Sequence, residues 1–399
     1  MKKSFVVAPW WFGLATLPVV SRAEGGVVFY GLLDIGLQYN QITYRDGETS
    51  LGGTFFGMAG GVQSGSRWGL RGAEDLGDGV SAVFVLESGF NVGDGNTQQG
   101  GRLFGRQATI GLTSRQWGRI DFGRQTNLAS NYLMPMDPFA EGFGQANIGA
   151  SFGATNTLRY SNMVLVQTPL FEGLRFGAGY AFSSGLTAIY VDNGACGASG
   201  CTTTPADNGF ATGNNLRTIT LGVSYEKGPV QLAASYDQAN GAANIPGGAP
   251  PVGPREWILG GAYDFHVVKA SVAVGQARNG GFTGQPAGTG ATGLPLVADA
   301  TLGAGVLFWT GYDHNSYLLG LAVPTSDRGN LLGSWQMMQP AGDLASTGVV
   351  QNQQIISLGY TYALTPRTNV YAYASYANHF AMIDNTQSTV TGLGIRHQF

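Results

Sequence analysis

Charge is the scarcest feature of this sequence. Asp, Glu, Lys and Arg together make up 11% of its 399 residues, where a soluble globular domain averages about 25%. Long apolar runs are missing too. After residue 23 no stretch reaches the roughly 18 uninterrupted apolar residues that a spanning helix needs, which excludes helical membrane spans. Low charge without a helical span leaves a soluble all-β protein or a membrane β-barrel. In a barrel, lipid-facing and lumen-facing side chains alternate, so half the residues can be apolar without any long run.

Cysteine is nearly absent: Cys196 and Cys201 are the whole complement, separated by Gly-Ala-Ser-Gly. That spacing excludes a CxxC redox motif, and two thiolates alone cannot complete a metal shell. In a secreted chain the pair is expected to form a disulfide at a loop tip. Histidine is equally sparse. His266, His314, His379 and His397 are the full set, and none lies in a Gly-x-Ser-x-Gly setting that would activate a nucleophile. No enzyme, cofactor or metal site is expected, and no clustered basic excess invites nucleic acid.

What is present begins at the N-terminus. Lys2 and Lys3 precede an apolar run from Phe5 to Val20, and Ser21 and Ala23 frame a small-x-small cleavage point. This pattern reads as a secretory signal peptide over residues 1–23, leaving 24–399 as one mature domain. Its loss removes Lys2, Lys3 and Arg22, so 18 basic residues face 24 acidic ones, a net of about −6.

Period-two alternation is the strand signal. Val27, Phe29, Leu33, Ile35, Leu37 and Tyr39 share one face of the first strand, opposite Val28, Tyr30, Asp34, Gln38 and Asn40. Asp34 is tolerable there only if that face is wet. The pattern repeats over Val80–Phe90 and over Tyr371–Tyr376. Connectors come in two kinds that take turns. Glu74–Gly79, Ser114–Gly118, Glu226–Pro229 and Ala363–Arg367 are short and tight. Thr43–Gln63, Val92–Gly101, Leu128–Asn156, Thr187–Asn215 and Gln238–Pro254 are long and polar. Short periplasmic turns alternating with long extracellular loops are the pattern of outer-membrane barrels. Sixteen strands of ~10–12 residues fill about half of the mature chain and leave on the order of 20 residues per long loop. Tyr39, Trp68, Trp117, Tyr132 and Trp257 are expected in the aromatic girdles, some of them at a subunit interface. At the far end Thr391, Leu393, Ile395, His397 and Phe399 alternate with Gly392, Gly394, Arg396 and Gln398. The last strand must pair with the first to abolish both edges, so it carries no tail.

The segment Gly65-Ser66-Arg67-Trp68-Gly69-Leu70-Arg71-Gly72-Ala73-Glu74-Asp75-Leu76-Gly77 resembles the second strand and turn of the Gram-negative general porin family, in its beta-proteobacterial branch. So do Phe29–Asp34, Phe104–Leu112, Asp121–Gln125 and the closing Gly394–Phe399. The resemblance implies an all-β fold: a 16-stranded antiparallel transmembrane β-barrel with loop 3 folded into the lumen. It further implies a homotrimer in the outer membrane, surrounded by lipid and lipopolysaccharide and inserted by the barrel assembly machinery. The implied function is passive diffusion of small polar solutes and ions.

The family carries two acids four residues apart on loop 3, facing basic residues on the opposite wall. Asp137 and Glu141 have that spacing, and the basic wall maps onto Arg67, Arg71 and Arg106. Alternation also puts Arg67 and Arg71 on the lumen face, with Gly69 between them and Trp68 and Leu70 opposite. It leaves Arg106 open, because Ala108, Ile110 and Leu112 on its side are apolar; a bulge or a subunit contact would each explain that. One departure stands out. The family places an arginine just after loop 3 where this chain has Ala150-Ser151-Phe152-Gly153, and Arg159 follows some residues later. The alternatives to a general diffusion pore are a channel specific for an organic acid or a sugar, and a structural or adhesive barrel.

Overall fold

The computed structural model describes residues 26–46, 49–190, 202–204, 215–241, 252–283, 305–346 and 350–399. The signal-peptide segment 1–23 and the pair Cys196 and Cys201 lie outside them.

Sixteen antiparallel strands form the wall. They are β1 (Val27–Asp46), β2 (in two segments, Thr49–Gly60 and Arg67–Gly77), β3 (Val80–Gly89), β4 (Gln107–Ser114), β5 (Gly118–Thr126), β6 (Arg159–Gln167), β7 (Leu174–Ala181) and β8 (Arg217–Lys227). The second half comprises β9 (Val230–Asn240), β10 (Arg255–Asp264), β11 (Lys269–Arg278), β12 (Asp313–Pro324), β13 (Gly329–Ala341), β14 (Gln353–Thr365), β15 (Thr368–Asn378) and β16 (Thr386–Gln398). Each pairs with its sequence neighbour, and β16 returns to β1 from Leu32↔Gln398 to Tyr44↔Thr386. Among the described residues the sixteen-stranded wall closes on itself.

Alternation follows the sequence reading. Along β14, Ile355 is fully buried while its neighbour Ile356 is 61% exposed, and the same switch runs through Ser357, Leu358, Gly359 and Tyr360. The exposed set, with Leu259, Val272, Leu319 and Leu393, forms an apolar outer belt. Trp117 and Trp257 are exposed on that surface. Tyr132 is not: it is buried in a helix inside the barrel, and its Oη donates to Gln167 Oε1 at 2.9 Å. The girdle expectation fails for it because the residue belongs to an inserted loop rather than to a strand.

A second correction concerns Thr43–Gln63, expected as a loop. β1 runs on to Asp46, and Thr49–Gly60 pairs back with it from Asp46↔Thr49 to Ile35↔Gly60. Five glycines and alanines among those twelve residues hide the alternation. The strand then breaks at Gly61–Ser66 and resumes pairing at Leu32↔Arg67, a wide bulge on the inner wall.

Phe399 extends the closing seam by one residue. Phe399 exchanges two backbone hydrogen bonds with Gly31, both 3.1 Å, and its ring lies 5.8 Å from that of Phe29. A Cβ on Gly31 would sit 2.2 Å from Phe399 Cζ, so the ring occupies the space only glycine leaves. Gly31→Leu is expected to expel it and cost roughly 1–3 kcal/mol of overpacking. Refolding into detergent, read by heat-dependent gel mobility, should show a lower melting midpoint, recovered in part by Phe399→Ala. An unchanged midpoint would remove Phe399 from closure.

The connection from β5 to β6 does not leave the barrel. It opens with α1 (Leu128–Leu133), capped by the Asn127 side chain on Ser130 N, and continues through short 3-10 turns to Thr155. Its side chains seat on inner-wall glycines. A Cβ at Gly222, Gly260, Gly320 or Gly359 would fall within 3 Å of Tyr132, Leu133, Pro138 or Phe139 respectively. A small sheet built from Thr187–Tyr190, Thr202–Thr204, Gly280–Thr283 and Gly305–Phe308 joins the same apolar cluster through Phe282, Val306 and Phe308 beside Phe152 and Leu158.

Candidate pore constriction

The basic wall starts at β2. Arg67 and Arg71 flank Gly69 on the inner face, and the missing side chain of Gly69 lets Tyr30 lie across the strand: a Cβ there would be 2.7 Å from its Oη. Arg71 stacks over that ring at 5.3 Å, and Tyr30 Oη donates to Glu87 Oε2 at 3.0 Å. Arg67 Nε donates to Gly65 O at 2.9 Å, at the edge of the bulge. Arg106 precedes the first residue of β4, where the chain is bent, so strand parity does not apply to it. Its Nε donates to Glu87 Oε1 at 2.6 Å, and the pair is mostly buried. Glu87 therefore holds Arg106 and Tyr30 together. Arg71 has neither Glu74 nor Glu87 as an ion-pair partner among the described residues.

Two further arginines join this wall. Arg124 Nε donates to Gly105 O at 2.7 Å and its Nη1 to Ser161 Oγ at 2.9 Å, fastening β5 to the β3–β4 connection and to β6. Arg159, at the start of β6, feels the charges of Arg106, Arg124, Glu87 and Arg67, and Glu141 in turn feels Arg159. Arg159 Nη1 donates to Thr157 O at 3.0 Å, and the stretch 150–153 carries no cation.

The loop acids are placed differently from each other. Asp137 is buried, and its carboxylate accepts three backbone N–H groups: Phe139 at 3.0 Å on Oδ1, with Glu141 at 2.8 Å and Ile148 at 3.1 Å on Oδ2. Burial pushes its carboxyl up to about 6, against the pull of those amides. Glu141 follows at a turn whose backbone enters the left-handed region at Ala140 (φ 50°), Glu141 (φ 58°) and Phe143 (φ 62°). Its carboxyl is held well above the usual carboxylate range by burial and by Asp137, with Arg159 opposing.

Three sets of contacts fix this loop. At its tip, Phe143 N donates to Val62 O in the β2 bulge at 2.6 Å, and its ring meets Tyr371 and Tyr373 edge-on at 5.4 and 5.3 Å. A Cβ on Gly142 would strike Gln63 O, so the tip abuts the bulge directly. Asp34 braces the bulge from behind, accepting Ser64 N and Tyr371 Oη, each at 2.6 Å. It is buried in this network rather than open to lumen water. Midway, Gln336 Nε2 donates to Ala146 O and Asn147 O at 3.0 and 3.1 Å. At the root, Asp237 Oδ1 accepts Asn127 Nδ2 and Tyr160 Oη, both 2.9 Å. Glu256 Oε2 accepts Ala154 N at 2.9 Å.

Asp237 and Glu256 are register partners on β9 and β10, and both are buried. No sequence motif singles out either of them. Alternation could have found them, since Asp237 follows Ala233 and Ser235 on the inner face.

The sequence profile of the Gram-negative porin family matches residues 12–379. An outer membrane porin protein of Bordetella pertussis is 47% identical, with all of both chains aligned. Outer membrane porin protein 32 of Delftia acidovorans is 27% identical over 98% of this chain and 92% of the relative. Among solved structures, the anion-selective porin from Comamonas acidovorans superposes with a TM-score of 0.67 at 24% identity, covering 94% of this chain and 100% of that one, a likeness of fold. Barrel, inserted loop and full-length kinship point the same way: the chain belongs to the Gram-negative porin family and is a 16-stranded β-barrel of the outer membrane.

Proposed function

We propose that the protein is a general diffusion porin, a water-filled channel through which small hydrophilic solutes and ions pass without chemical change, with a mild preference for anions. The supporting observation is the wall of Arg67, Arg71, Arg106 and Arg159, of which only Arg106 forms an ion pair among the described residues, with Glu87. On the inserted loop, Glu141 is disfavoured as an anion by burial and by Asp137. Asp137 and Glu141 belong to the constriction in different ways: Asp137 shapes the turn, and Glu141 lies within the electrostatic reach of Arg159. Fixed charge lining a narrow aqueous gap sets ion preference, and polar solutes orient in the field between guanidinium and carboxyl. A general pore needs no binding staircase. The anion selectivity named for the Comamonas porin favours the same sign. The working form is a homotrimer, with residues 1–23 removed on export and the Cys196 and Cys201 thiols joined.

Reversal potentials in a potassium chloride gradient across a planar bilayer test this. Wild type is expected to favour chloride. A unit charge ~8 Å from the ion path, screened at 0.1 M salt, contributes a few tenths of a kcal/mol for each ion. Arg67→Ala should therefore lower the chloride-to-potassium ratio about twofold. An unchanged ratio would take Arg67 out of the constriction, and saturable flux for one sugar or organic acid in liposomes would replace general diffusion with a specific channel.

A further inference from the structure

One pair of side chains on the outer surface contradicts the usual rules of a sheet. Arg255 on β10 and Arg278 on β11 are direct register partners, both exposed and both on the lipid-facing side. Like charges directly opposite one another destabilise a sheet. Arg255 shares its face with exposed Trp257 and Leu259, and Arg278 with Val272 and Val274, so the apolar belt begins directly below Arg255 and one residue further, past Gln276, below Arg278. A third arginine, Arg217, lies on the same face of β8 at the same end of the barrel.

That end is where the strands meet the long connections, since the opposite ends of β8–β9 and β10–β11 are joined by the tight segments 227–230 and 264–269. The neutral neighbours are already committed. Gln276 Oε1 accepts Arg278 Nε at 2.7 Å, and Gln276 Nε2 donates to Asn315 Oδ1 at 2.8 Å. The acid next in register, Asp313, turns Oδ1 to the backbone N–H of Asn279 at 2.9 Å. No ion pair joins it to Arg278 among the described residues. Arg255 forms no ion pair among those residues either. Two arginines are therefore register partners at the outer end of the apolar belt, with no ion pair to either among the described residues.

We infer that Arg255 and Arg278, supported by Arg217, form a docking site for the phosphate groups of an anionic outer-leaflet glycolipid. Guanidinium binds phosphate through paired N–H donors. Trp257 beneath marks the interface depth at which such groups sit. A bound phosphate would also cancel the repulsion that the register imposes, which accounts for two arginines persisting where a neutral pair would fit the sheet better.

The test uses the full chain in nanodiscs of neutral phosphatidylcholine, with lipid A supplied either bisphosphorylated or fully dephosphorylated, and bound lipid counted by native mass spectrometry. Wild type is expected to retain the phosphorylated form about tenfold better or more, at roughly 1 kcal/mol for each arginine near the surface. That excess should shrink as salt rises. Arg255→Gln with Arg278→Gln should remove most of it while leaving single-channel conductance intact, which also verifies folding. Equal retention of the two lipids by wild type would overturn the proposal without reliance on any variant. So would displacement by millimolar inorganic phosphate, which would mark a free-phosphate site. A double variant that changes subunit assembly but not lipid retention would assign the face to another copy of this chain and equally overturn it.

Discussion

Asp137→Ala is expected to loosen the inserted loop and raise both single-channel conductance and current noise. One carboxylate accepts three backbone N–H groups within the turn that carries Glu141 and Phe143. Truncation leaves all three buried donors without that acceptor, and each unsatisfied buried donor costs about 1–3 kcal/mol. The left-handed residues Ala140, Glu141 and Phe143 add strain that this bonding helps to offset. Release of the turn would free Phe143 from Val62 and the two tyrosines, widening the gap on the arginine side.

The same residue carries a pH signature. Its carboxyl is raised to about 6 in the folded protein, against an ordinary value near 3.8 when unfolded. Between those values the folded state binds more protons than the unfolded one, so stability falls as pH rises through that window. The contribution is fully present below ~4 and gone above ~6, and two units correspond to about 3 kcal/mol. Asp137→Asn cannot titrate. The melting midpoint of wild type minus that of Asp137→Asn should therefore drop between pH 4 and pH 7. A pH-independent difference would mean that the amides, not burial, govern the carboxyl.

Much of the barrel was legible in the sequence because a membrane wall enforces strict alternation. β1, β3 and β15 could be read residue by residue, since lipid on one side and lumen on the other leave each position one acceptable character. The first half of β2 was not legible. Gly52, Gly53, Gly57 and Gly60 satisfy both faces at once, so alternation vanishes where the strand persists. Arg106 was ambiguous for a related reason: parity presumes a strand, and the chain bends just before Gln107. The four-residue spacing of Asp137 and Glu141 was visible, but spacing does not reveal that one carboxylate is used up by its own turn. That depends on left-handed residues at non-glycine positions, which no local pattern announces.

The root of the loop depends on a pairing that sequence could not supply, because the register of β9 against β10 is set across the intervening long connection. Asp237 and Glu256 face each other there, both buried, and neither forms an ion pair among the described residues. Two carboxyls side by side without an ion pair invite opposite outcomes from two double variants. Asp237→Asn with Glu256→Gln keeps an acceptor for Asn127, Tyr160 and Ala154 and removes any like-charge repulsion. Neutral isosteres of buried charge are commonly neutral or stabilising, so the heat-dependent gel midpoint should hold or rise and conductance should stay the same. Asp237→Ala with Glu256→Ala leaves three buried donors unmatched, at about 1–3 kcal/mol each. The midpoint should then fall by several degrees, and the loop should become open to protease near Asn127 and Ala154. If both pairs of substitutions lower the midpoint equally, the negative charge itself holds the loop, and a cation shared between the two carboxylates becomes the better account of the root.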